Sequence, residues 1–434
     1  MLIKTIYKTY IKSSFVKNIL ALFTGSALAQ LIIFLIIPIL TRLFDEEAFG
    51  VYALFTSTIF LLKTLSTLCY ELAIILPKRD KDAINLLVFS SLIVFLFSLL
   101  ILIVIILFQH QINTFLGIEK LGNIIFAVPL SIFFIGNISI LEYWNNRSNL
   151  FKNISIGNVS KAMTLSSSQL AIGFSKFKFI GLVPGLILGQ LVQLLVILKL
   201  GYKTLQKNFK QISFKRMLYL AKKYSDIPKF NTVLTFTNTL SNELPIILIT
   251  KYFGIGYAGI YGLAIKVSKT PPGIIGQSIS QVFFNKASKL YNKNGNLYKL
   301  IKDTYKHLFV ISILIFTPLF IASYFLDFIF GENWDSVGTF VRILIPWLFA
   351  MFLNSPVSSI IAILNKQKTI LLYDIALLTS RFLALYLGYT IYNDIFISLM
   401  LFSGVGVLFN TLILIYFLKV AKESGSETLK AYKK

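Results

Sequence analysis

The chain has 434 residues, 56% of them hydrophobic and 15% aromatic, with a formal net charge of +24 and a single cysteine, Cys69. A mean hydropathy of +0.76 is far above what a water-soluble core of this length needs, so a soluble globular protein is excluded, and one cysteine excludes an internal disulfide. The positive charge sits in short segments between long apolar runs, which suits an anionic membrane surface and not a nucleic acid.

From the N-terminus, residues 1–16 set Lys4, Lys8 and Lys12 against Leu2, Ile3, Ile6, Tyr7, Tyr10 and Ile11. That is the stripe of an amphipathic helix on the cytoplasmic membrane surface, not of a cleaved signal. Apolar stretches long enough to cross about 30 Å of hydrocarbon as helices follow at 17–41, 48–76, 83–108, 122–143, 155–173 and 180–200. Residues 201–226 are basic and carry Phe209, Ile212, Met217, Leu218 and Ala221, which predicts a second interfacial helix in a cytoplasmic linker. Six more spans lie near 227–252, 257–283, 304–328, 338–364, 369–390 and 395–419, followed by a tail at 420–434. The expectation is an all-α integral membrane protein of about 12 transmembrane helices. They form an N-terminal six-helix bundle, 17–200, and a C-terminal one, 227–419, around a central cavity.

An even number of spans puts both termini on one side. Alternate segments on that side hold 28 lysines and arginines, against four on the other: Arg42, Lys120, Lys176 and Lys178. The positive-inside rule therefore places both termini in the cytoplasm.

The first corner, "TRLFDEEAFGVYAL" at 41–54, has a counterpart in "TKYFGIGYAGIYGL" at 250–263. Thr41, Arg42, Phe44, Gly50, Tyr52 and Leu54 align without a gap with Thr250, Lys251, Phe253, Gly259, Tyr261 and Leu263. Chance agreement between two membrane-surface corners rich in Gly, Tyr and basic residues is the competing reading. Six spans separate equivalent points, so the match predicts parallel repeats, and two such repeats in a membrane usually mean transport by alternating access.

"FTGSALAQLIIFLIIPILTRLFDEEAFGVYALF" and "YELAIILPKRDKDAINLL" resemble the N-terminal signature of the polysaccharide transporters. These are the O-antigen flippase group of the multidrug, oligosaccharidyl-lipid and polysaccharide exporter superfamily. "GIYGLAIKVSKTPPGIIGQSISQVFFNKAS" resembles the same family's second half. The resemblance runs end to end and is strongest at 23–87 and 228–290. It implies a flippase that carries an undecaprenyl-diphosphate-linked oligosaccharide, an O-antigen, capsule or exopolysaccharide unit, from the cytoplasmic to the outer leaflet of a bacterial inner membrane. It also implies, as candidate partners, the polymerase and chain-length proteins of the same pathway.

Charged residues within spans are costly if they face lipid, so they are expected to face the interior. Lys63, Lys266, Lys269 and Arg381, with Arg42, Lys251 and Arg342 nearer the outer ends, are the candidate contacts for an anionic substrate. Gln30, Asn238 and Asn242 are candidate partners for sugar hydroxyls, or else polar glue between helices. Lys63 with Glu71, and Asp374 with Arg381, are spaced two turns apart on presumed continuous helices, too far for a direct bridge. Glu71, Glu243 and Asp374 are the candidates for coupling to a proton or sodium gradient. Prolines at 38, 129, 184, 245, 271, 272, 318, 346 and 356 are expected to kink their spans.

Three rivals are weighed. A membrane glycosyltransferase or polymerase needs catalytic acids on an outer loop, and "DEE" at 45–47 is in the first. Asp45 is, however, a good helix N-cap, Glu46 and Glu47 suit a first helical turn, and the second repeat has Gly254, Ile255 and Gly256 there. No enzyme is expected. No cofactor or metal is expected either: there is no Gly-rich phosphate loop, and His110 and His307 are far apart. A small-molecule extruder with cationic cargo would favour an acidic interior. A peptidoglycan-precursor flippase shares the anionic cargo, although such relatives often carry two further spans.

Overall fold

The computed structural model describes residues 14–116, 119–176, 181–292, 295–364 and 366–431. The amphipathic helix expected at 1–16 falls, but for its last three residues, outside them. Among the described residues twelve α-helices have at least twenty residues. They are α1 (Ser14–Leu43), α2 (Glu46–Ser66), α3 (Asp80–Leu116), α4 (Ala127–Arg147), α5 (Phe151–Gly173) and α6 (Val183–Phe209). Then follow α7 (Val233–Phe253), α8 (Ile255–Asn292), α9 (Leu297–Ala322), α10 (Asp335–Asn354), α11 (Gln367–Leu387) and α12 (Ile395–Ala431). Nine are apolar enough to cross a membrane by length and composition. The other three, α5, α7 and α8, are as long but more polar, with Ser155, Ser166 and Gln169 of α5 buried against protein. Helices that bury polar groups inward need less apolar surface overall.

Contacts divide the chain into two compact units, Met1–Glu243 and Leu244–Lys434. In the first, α4 packs on α2, α3 and α6, and α5 packs on α1 and α6. In the second, α10 packs on α8, α9 and α12, and α11 on α12. Adding six to each helix number thus turns four pairings of the first unit into pairings of the second, which is the internal repeat expected from the two corner sequences. The corners themselves solve one problem in two ways. Asp45 has extended backbone and its carboxylate accepts the Ala48 N–H at 2.9 Å, capping α2. At the equivalent place Gly254 adopts φ +97°, a conformation open to glycine, and α8 starts at the next residue.

Packing follows the apolar pattern. Ile84, Leu86, Val94, Ile140 and Ile197 are fully buried in the first unit. The seam between α5 and α6 is set by two glycines one turn apart on α6. A Cβ on Gly185 would lie 2.6 Å from Gln169 Cγ and 3.2 Å from the Leu165 carbonyl, and one on Gly189 3.1 Å from the Lys161 carbonyl. Backbones approach this closely only over small residues. Leu92, Phe95, Leu96, Leu99, Leu100, Ile103, Ile106 and Leu107 of α3 are all exposed, a surface suited to acyl chains.

Three expectations are corrected. The span at 48–76 is not one helix: α2 ends at Ser66, Leu68 and Cys69 take positive φ, and a 3-10 turn covers Tyr70–Ile75. Of the nine prolines, Pro129 and Pro184 lie in the first turn of α4 and α6, where the ring fits without kinking the helix, and Pro356 lies in the turn after α10. Pro38, Pro245, Pro271, Pro272, Pro318 and Pro346 are inside helices. Finally, α6 runs on to Phe209, so the separate basic helix is only Phe214–Lys223. It buries Met217, Leu220 and Ala221 and is fixed by Arg216 donating to Asp82 at 2.8 Å and by Asn85 donating to the Gln211 carbonyl at 2.9 Å.

Candidate functional site

In the first unit, the break after α2 brings together what the sequence spacing kept apart. Lys63 Nζ lies 3.4 Å from Glu71 Oε1, with side-chain exposures of 25% and 5%. The two-turn separation inferred for a continuous helix is therefore wrong, because the helix ends at Ser66 and Leu68 and Cys69 take left-handed backbone. The segment after the break is held from both sides. Tyr70 Oη donates to the Ala221 carbonyl at 3.1 Å, while Arg147 Nη1 donates to the carbonyls of Ile74, Ile75 and Pro77 and its Nη2 binds Asp80 at 2.9 Å. Glu243 accepts from Ser57 at 2.6 Å. Asn242 donates to the Asn238 carbonyl at 2.9 Å, a bond within α7, and Asn238 itself is exposed. Gln30 is half-buried on α1 and Arg42 is exposed at its end.

A second polar cluster in this unit was not foreseen. Gln193 Nε2 donates to Asn158 at 2.8 Å and to Glu142 at 3.4 Å, and Asn158 donates to Ser26 at 3.3 Å. Four helices, α1, α4, α5 and α6, contribute to it. Lys161 of α5 and Lys63 both act electrostatically on the Glu142 carboxylate. Sequence reading did not single out Glu142, although it lies within the span expected at 122–143; the helix itself continues to Arg147. With Glu142 counted, this unit holds Lys63 and Lys161 against Glu71, Glu142 and Glu243, so its interior is not basic.

The second unit is different. Arg381 and Asp374 of α11 are both buried. The Arg381 guanidinium lies 4.8 Å from the Trp347 ring and 5.0 Å from that of Phe402, and Lys269 Nζ lies 5.3 Å from the same Trp347 ring. Lys266, one turn before Lys269, is half-buried, and its carbonyl accepts from Thr270 at 2.6 Å. Lys266 and Lys269 of α8 are thus half-buried cations, and Arg381 and Asp374 of α11 are buried charges of opposite sign. Arg342 is half-buried; it donates to the Ser323 carbonyl at 3.3 Å and to Thr339 at 2.8 Å, and lies 4.3 Å from the Tyr324 ring. Lys251 is exposed beside Tyr252, which stacks on Tyr389 at 4.7 Å. Among the described residues no group of three or more His, Cys, Asp or Glu is placed to hold a metal ion.

Comparison with known proteins agrees with this architecture. Residues 39–338, well over half the chain, match the family described as polysaccharide biosynthesis protein. A stretch of 134 residues, 30% of this chain, is 27% identical to the lipopolysaccharide biosynthesis protein WzxC of Escherichia coli (strain K12), and it spans 27% of that relative's length. The whole fold is similar to an inward-facing multidrug resistance MATE family transporter of the MOP superfamily, with TM-score 0.60 at 12% identity over 93% of this chain and 95% of that one. It is similar also to the eukaryotic MATE transporter AtDTX14, with TM-score 0.60 at 13% identity over 96% and 100% of the two chains. A mutant of the Vibrio cholerae MATE transporter VcmN gives 0.59 at 12% over 96% and 98%. At such identities the likeness is one of fold. The repeated bundles, the long apolar helices and the 39–338 match lead to one conclusion: the chain belongs to the polysaccharide biosynthesis protein family and is a multi-pass membrane protein with a MATE-like fold.

Proposed function

We propose that this protein is a flippase that moves a lipid-linked oligosaccharide, joined to its polyprenyl carrier through a diphosphate, from the cytoplasmic to the outer leaflet of the bacterial inner membrane. Its termini lie in the cytoplasm, and it works by alternating access without catalysing bond chemistry. The observation that carries the reading is the presence of cations within the second unit: Lys266 and Lys269 are half-buried on α8 and Arg381 is buried on α11. Cations held among helices are stabilised by an anionic cargo and would repel a cationic drug. Membership of a polysaccharide biosynthesis family supports a glycan-bearing cargo. The acids gather in the first unit, where Glu71 and Glu243, with Asp374 in the second, are the groups through which a proton or sodium gradient would drive export.

The test uses the purified protein in proteoliposomes loaded with a fluorescent diphosphate-linked oligosaccharide lipid, read by accessibility to an external glycosidase. Wild-type protein should equilibrate the lipid between leaflets. The Lys266→Ala, Lys269→Ala double variant should slow this at least about tenfold, a loss of about 1.4 kcal/mol of substrate or transition-state stabilisation, while inserting normally. Equal rates in the two proteins would remove the basic second unit from the mechanism.

A further inference from the structure

The short helix Phe214–Lys223 has two apolar edges, one packed on protein and one exposed. Met217, Leu220 and Ala221 are buried, and that side is tied down by the Arg216–Asp82 ion pair, by Asn85 donating to the Gln211 carbonyl and by Tyr70 donating to the Ala221 carbonyl. Phe214 and Leu218, one turn apart on the next face, are 66% and 51% exposed. Tyr219 is exposed too, with the Arg216 guanidinium 5.0 Å from its ring. Lys215 and Lys222, two turns apart, stand beside this edge and are exposed. The stripe that the sequence offers as one membrane face is thus split: Met217 and Ala221 go to protein, while Phe214, absent from that stripe, joins Leu218 outside.

The level of the helix says what meets the exposed edge. α6, which leads into it, has 27 residues, about 40 Å of helix against about 30 Å of hydrocarbon. Its last turns, and the helix that follows the link 210–213, therefore lie at the depth of the lipid headgroups. An apolar edge there is covered by acyl chains, and lysines at its rim reach the headgroups. Charge selects among lipids: residues 201–226 hold seven lysines and arginines and one acid, Asp226, which itself lies 3.8 Å from Lys229. We propose that this helix docks on anionic phospholipid, with Phe214 and Leu218 among the acyl chains and Lys215 and Lys222 at the phosphates. The docked helix steadies what it is bonded to: the start of α3 through Asp82, and the turn that carries Glu71 through Tyr70. The proposal rests on the chain's spanning a membrane and not on its cargo.

The test uses the full chain with Leu218→Cys carrying an environment-sensitive fluorophore, the native Cys69 being buried. The labelled protein is reconstituted in phosphatidylcholine vesicles with and without phosphatidylglycerol. Quenching by lipid-borne nitroxide is compared with quenching by iodide supplied on both sides of the membrane. With phosphatidylglycerol the label should be quenched from the lipid at least about twofold more than in phosphatidylcholine alone, and high salt should shrink the difference. Lys215→Gln combined with Lys222→Gln should remove most of the phosphatidylglycerol effect. Lys286→Gln combined with Lys289→Gln, the same loss of charge from exposed positions on α8, should leave it intact. A label that iodide reaches freely in both vesicles would overturn the proposal, leaving the edge to a protein partner or to water. Equal lipid-side quenching in the two vesicles would overturn it as well, because insertion would then need no anionic headgroup. So would an effect lost equally in both lysine pairs, which would make it one of overall charge.

Discussion

Glu71 owes its position to residues that carry no charge and no turn signature. Leu68 and Cys69 take φ of 47° and 55°, conformations that sequence normally marks with glycine or asparagine. Nothing in "LSTLCYEL" announces a left-handed turn, which is why the Lys63–Glu71 pair was invisible in a helical projection. The strain is sustained from outside by Arg147, whose guanidinium spans three backbone carbonyls and Asp80. Arg147→Ala should therefore lower stability by about 2 kcal/mol, measured by thermal unfolding in detergent. Arg147→Lys should not restore it, since one ammonium cannot serve four acceptors in a planar fork. A neutral effect of Arg147→Ala would mean that the turn holds itself.

At the scale of elements, the count and order of helices were legible because 18-residue apolar runs separated by basic loops leave few alternatives. Asp45 was legible as an N-cap for the same reason, a short polar residue at a helix start. Helix ends were not: α4 runs on to Arg147 and α6 to Phe209, past apolar stretches expected to end at 143 and 200. The Glu142, Gln193 and Asn158 cluster lies within the expected spans and was hidden because pairing across helices has no fixed spacing in sequence. Helix seams were equally hidden, because a glycine at a crossing looks like any other in the sequence. Gly185→Ala should force α5 and α6 apart and cost about 1–3 kcal/mol. Gly404→Ala on α12, where a Cβ would meet nothing within 4 Å, should be neutral or slightly stabilising. Equal melting temperatures for the two variants would show that the α5–α6 seam yields without penalty.

At the scale of the whole molecule, the repeat carries unequal charge. The helix pairings of the first unit recur in the second, but acids collect in the first and bases in the second. Sequence reading summed the two and inferred one basic interior; counted unit by unit, the first holds Lys63 and Lys161 with Glu71, Glu142 and Glu243, and the second Lys266, Lys269 and Arg381 with Asp374. The central claim is that the cargo is a lipid-linked oligosaccharide carried between leaflets. The most direct test is the leaflet distribution of single lipid-linked units in cells with and without this gene, read by an impermeant probe of the sugar. The account predicts that in its absence these units accumulate on the cytoplasmic side, and that restoring the wild-type chain clears them. If they reach the outer leaflet at the normal rate and only the length or linkage of the glycan changes, the flippase assignment is contradicted.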